Sequence, residues 1–179
     1  MQDRNRIVFY HFFDTICEDA MPGRFDFNPS EVSTGIEVLP KDRYVVTIRE
    51  PKPYFNAASD TSKKDREGIQ FPLVVTEGEY ENKLMLFRPD FNLDFGPGQA
   101  KQLAMAAYGY TRKQEKEFNK DQAEKDWSLN TDPSNASLGD GWTDCKGRTV
   151  IANVDITIAK DGSGNEFQKF VSFEPYTGE

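Results

Sequence analysis

Apolar and polar residues alternate with a period of two in several stretches of the chain, and each stretch predicts a strand. Tyr44, Val46 and Ile48 alternate with Arg43, Val45, Thr47 and Arg49, the pattern of a half-buried strand with one polar face. Pro51 and Pro53 follow and end regular pairing there or confine it to an edge. Residues 56–68 are polar and read as a flexible loop. Phe71, Leu73 and Val75 mark a second strand, in which Pro72 signals an edge or a bulge. Glu77-Gly78-Glu79 turns the chain into a third strand at Leu84–Arg88. Val150, Ala152, Val154, Ile156 and Ile158 give a fourth strand, and Phe167, Lys169, Val171 and Phe173 a fifth. The tight turn Asp161–Asn165 joins these last two.

Between the third and fourth strands the period changes. Gly96-Pro97-Gly98 breaks the alternation, Ala100, Leu103, Ala104, Ala107 and Tyr108 then share one helical face, and Gly109 stops the helix. Residues 112–126 carry five basic and five acidic side chains with Phe118 the only large apolar one, which predicts a solvated helix within an insertion at about 111–141. Asn130–Gly141 is turn-rich and reads as loop. At the other end, Phe9, Phe12, Phe13, Ile16 and Cys17 form an apolar stripe, so residues 6–19 predict a short amphipathic helix within an N-terminal extension spanning 1–24. That stripe either packs on the domain at 25–179 or seals a homodimer. A start at Met21 would make the first twenty residues an upstream extension.

Three strands, a helix and two strands define a mainly β fold with some α. This is the element order of a five-stranded OB-like barrel with its helix between strands 3 and 4, though other small sandwiches share it.

The chain has 179 residues, enough for one domain with an extension, and a formal charge of −8. Such a balance argues against coating duplex DNA by bulk positive charge, but residues 41–88 hold nine basic against eight acidic side chains. The two cysteines, Cys17 and Cys145, have neither zinc-ligand spacing nor the density of a disulfide scaffold. No apolar run is long enough to span a membrane. Asp14, Glu18 and Asp19 close behind the run Ile7–Phe13 without a small-residue cleavage site, so export is not expected. The single histidine, His11, lies in an aromatic stretch, and Asp161–Asn165 lacks the glutamate that closes a calcium loop. Cys145 has no histidine to activate it. These residues predict no enzyme, no metal and no cofactor.

Several short motifs fall in a fixed order. They are Asn28-Pro29-Ser30-Glu31-Val32, Leu39-Pro40-Lys41-Asp42-Arg43-Tyr44, Glu77 to Lys83, Lys146-Gly147-Arg148, and Asp161 to Asn165 followed by Phe173 and Pro175. In that order they resemble a phage family of unknown-function domains from replication and recombination gene clusters. Asp42 and Asn82 stand where that family has glycines, and both types tolerate left-handed backbone. The resemblance implies an OB-like fold that binds single-stranded DNA in the host cytoplasm, with a phage recombinase or other replication protein as partner.

On an OB barrel the strand binds over strands two and three, between the loops that follow strands one and four. Arg49, Lys52, Tyr54, Phe55, Lys63, Lys64 and Arg66 line the first of those loops. Lys83, Phe87 and Arg88 belong to the third strand, and Lys160 and Lys169 flank the last turn. Cations that meet phosphates, interleaved with rings on which bases stack, are what single-strand binding requires. The competing reading is a protein-interaction module that docks a recombinase, nuclease or host defence protein through acidic surfaces such as Asp140–Asp144.

Overall fold

The computed structural model describes residues 37–58, 64–159 and 162–178. The expected N-terminal helix, His11, Cys17 and the motif at Asn28–Val32 lie outside the described residues.

The first alternating segment forms β1 (Asp42–Ile48), with Tyr44, Val46 and Ile48 buried and the odd-numbered residues turned outward. The chain breaks at Arg49–Pro51 and then resumes in the same direction as β2 (Lys52–Asn56). Both segments pair antiparallel with β3 (Arg66–Val75), Ile48 opposite Leu73 and Lys52 opposite Gln70. Pairing therefore continues past Pro51, and the expected loop at 56–68 is shorter than its polar composition suggested.

The two prolines of this hairpin sit where the ladder needs no donor. A strand residue directs its N–H and C=O to the same side. The Pro72 carbonyl accepts a 2.8 Å hydrogen bond from the Arg49 N–H, so the donor that Pro72 lacks would face the break between β1 and β2. Pro72 is thus in an interior strand rather than at an edge. Pro53, opposite Ile69, has its nitrogen turned away from β3.

β4 (Leu84–Phe87) runs along the other side of β3, with Phe71 opposite Phe87. The long hairpin of β7 (Thr149–Ile158) and β8 (Glu166–Pro175) extends the sheet on the far side of β1, with a bulge at Asn153/Val154. The order is β4-β3-β1-β7-β8, with β2 also on β3, and the antiparallel sheet curls into a half-barrel. Ile69, Phe71, Leu73, Val75, Met85 and Val150 fill its concave side. Tyr80 and Phe91, partly buried, pack against that core.

Helix α1 (Gly96–Ala107) covers the interior and touches β7 and β8. It ends where Gly109 takes φ +86° and the Tyr110 N–H bonds back to the Met105 carbonyl at 2.8 Å. In the insertion, a 3-10 turn at Arg112–Gln114 runs into α2 (Glu115–Asp121), whose Phe118 is buried. Asn130–Gly141 is more ordered than a loop. It contributes to a two-stranded hairpin, β5 (Leu129–Asn130) with β6 (Ser137–Leu138), and to α3 (Asp140–Thr143). Asn82 adopts φ +68°, a left-handed backbone that asparagine tolerates, whereas Asp42 lies in β1 with ordinary strand backbone. Among the described residues, no helix is long and apolar enough to cross a membrane.

Candidate nucleic-acid interface

Alternation assigns the side chains of this sheet to two faces. Ile69, Phe71, Leu73 and Val75 of β3 point into the core, so Gln70, Pro72 and Val74 point out. Residues directly opposite across a pair share a face. Lys52 therefore stands outward beside Gln70, and Asn56 beside Arg66. Arg49, continuing the outward register of β1, stands beside Pro72. On β4, Met85 and Phe87 are buried, which leaves Arg88 outward.

The Arg88 Nε–H donates to Gln70 Oε1 at 2.7 Å. Lys52, Gln70 and Arg88 consequently form one row across three strands, about 10 Å wide at ordinary strand spacing. Tyr54, opposite Gly68, occupies the next row, and its hydroxyl donates to the Pro89 carbonyl at 3.3 Å. Burial pushes the Tyr54 hydroxyl up to about 12, with Asp90 adding to the shift while Arg66 and Arg88 oppose it. The phenol is thus neutral, with the Arg66 and Arg88 charges opposing the shift.

Five expected residues come together in this lane: Arg49, Lys52, Tyr54, Arg66 and Arg88. The break at Arg49–Pro51 makes it possible. It shifts the alternation by one, so that odd-numbered Arg49 and even-numbered Lys52 and Tyr54 all face outward. Asp90, opposite Gly68, puts one carboxylate beside Tyr54, its Oδ1 accepting a 3.0 Å hydrogen bond from the Asn92 N–H, and two further carboxylates near the lane are engaged elsewhere. Glu50 pairs with Lys146 at 3.1 Å, and Glu67 accepts a 2.6 Å hydrogen bond from the Thr131 hydroxyl of the insertion.

The other expected residues lie elsewhere. Phe87 is 4% exposed and sits among Phe71, Phe170 and Phe173, with ring centroids 6.0, 5.1 and 4.8 Å away. It is a core residue and offers no face to a base. Phe55, opposite Glu67, is on the other side of β2 from Tyr54, though 41% exposed at the strand's end. Lys83 pairs with Glu37 before the start of β4. Lys169 is opposite Asp155 on β8, toward the end of the β7–β8 hairpin that adjoins the start of β1. Lys64 is exposed beside the loop, and Lys63 and Lys160 lie outside the described residues.

Two residues were missed, one in the lane and one outside it. Gln70 positions Arg88, and its signal was the polar residue on the outward parity of an otherwise apolar strand. Phe167, 55% exposed, shares the outward face of β8 with Lys169 and is the more accessible ring. Among the described residues, no group of three or more His, Cys, Asp or Glu side chains is placed to hold a metal ion. A scan against protein-family models finds no match to the chain, and a search of curated proteins finds none either.

Proposed function

We propose that the chain is a non-catalytic single-stranded-DNA-binding protein on an OB-like barrel, acting in phage DNA replication or recombination. With β1 and β2 counted as one interrupted strand, β3 and β4 take the places of strands two and three, whose outward face carries oligonucleotides in OB folds. The observation that carries the reading is the lane of Arg49, Lys52, Arg66 and Arg88 around Tyr54 on that face. Guanidinium and ammonium groups there meet phosphates, and a neutral tyrosine ring supplies a stacking surface worth about 1–3 kcal/mol per base. No base-edge reader is needed, so binding is sequence-tolerant.

Titration of labelled oligo-dT at several ionic strengths tests this. Affinity should fall steeply with salt, and Arg49→Ala or Arg88→Ala should each flatten the log–log slope by about 0.7, the value for one phosphate contact on a single strand. Absence of binding at about 10 mM salt, where the screening length is about 30 Å, would reject the proposal and leave the protein-interaction module standing.

A further inference from the structure

A cleft of about 460 Å³ lies between the C-terminal half of α1, the turn that follows it and the end of β8. Its lining includes Gln102, Met105, Arg112, Phe173, Glu174 and Pro175. That volume is within the range of about 300–1,000 Å³ usual for small-molecule sites. Gln102 and Met105 are about one turn apart on α1, so both side chains come to the same face. Met105 is nearly buried, and with Phe173 and Pro175 it gives the cleft an apolar floor.

Most polar groups of the cleft are already committed. Glu174 Oε2 pairs with Arg43 at 3.0 Å, and its Oε1 accepts from the Asn153 amide at 2.8 Å. The same amide donates to Ser172 Oγ at 3.0 Å. The Tyr110 hydroxyl donates to Asp121 at 2.7 Å, and the Thr111 hydroxyl to Gln114 Oε1 at 2.8 Å. Among the described residues, the side chains of Gln102, Arg112 and Thr177 have no hydrogen bond or ion pair, and of these three only Arg112 is charged. Its charge reaches Glu115, but that carboxylate is already bonded to Lys101 at 2.6 Å. With Glu174 neutralised by Arg43, the described lining presents one uncompensated positive charge beside an apolar floor.

We propose that this cleft binds a small aromatic carboxylate, its ring against Met105 and Phe173 and its carboxylate bonded to Arg112. The planar guanidinium fork suits a carboxylate, and thioether and phenyl groups favour an aromatic body over an aliphatic one. The cleft shares no residue with the outward lane on β2, β3 and β4, and the inference does not depend on nucleic-acid binding.

Naphthoate and naphthamide, alike in shape and different in charge, are the probes. Ligand-observed NMR titration of the full chain should show naphthoate binding about fivefold tighter, the value of a charge-assisted contact discounted for an exposed guanidinium. Arg112→Gln, at an exposed position, should bring the two to parity. Lys113→Gln removes the same charge from the next exposed position and should leave the preference intact. Acetate, which lacks the ring, should not displace naphthoate at equal concentration. Equal affinities for the two probes in the unaltered protein would overturn the assignment. So would a preference that survives Arg112→Gln or is lost equally in Lys113→Gln, displacement by acetate, or no saturable binding of either probe at millimolar concentration.

Discussion

Phe87 and Tyr54 are both aromatic residues in strands, and the structure gives them opposite work. Phe87 is wedged among three other rings, so Phe87→Ala should cost about 3–5 kcal/mol, read as a lower urea midpoint with an unchanged slope. Oligonucleotide affinity of the protein that remains folded should not change. Cys145 gives a second residue-level expectation. Its thiol is fully buried, and burial pushes it up to about 12. Because the folded protein holds this proton more tightly than the unfolded chain, the stabilisation is complete below the ordinary thiol value and is lost as pH rises toward 12. Alkylation by iodoacetamide at pH 8, followed by peptide mapping, should leave Cys145 unmodified in the native protein and modify it after unfolding.

At the scale of elements, the approach of β3 to the segment after β4 depends on a missing side chain. A Cβ on Gly68 would stand 2.1 Å from the Pro89 carbonyl oxygen and 3.2 Å from the Phe91 ring. Gly68→Ala should force the strands apart at a cost of about 1–3 kcal/mol, and a thermal melt should fall by several degrees. The strands themselves were legible, because alternation over Tyr44–Ile48, Phe71–Val75 and Val150–Ile158 reports directly on which side chains are buried. What stayed hidden was a parity change. Nothing local in Arg49-Glu50-Pro51 says that the strand resumes with its faces exchanged, and that exchange decides whether Lys52 and Tyr54 join Arg49. The face of β4 was equally ambiguous, since Leu84, Met85, Leu86 and Phe87 are all apolar and only the partner strand selects Met85 and Phe87 for the core. The small hairpin Leu129–Leu138 escaped notice because two-residue strands carry too few positions to show a period.

At the scale of the whole molecule, a net charge of −8 coexists with a cationic strip. On the proposed DNA reading, the net negative charge repels a polyanion at long range, so the on-rate should be slow for a DNA-binding protein at low salt and affinity should rest on dwell time. Stopped-flow mixing with oligo-dT measures this, and an association rate well above about 10⁷ M⁻¹s⁻¹ would contradict it.

Among the described residues β2 pairs with β3 alone, and at the middle of its other border stands Pro53. A rim without an amide hydrogen at its centre offers an incoming chain only an interrupted ladder, so growth of this sheet is disfavoured at that margin. The imino ring works as a doorstop: copies brought side by side meet an interrupted border there rather than a ready edge for merging their sheets.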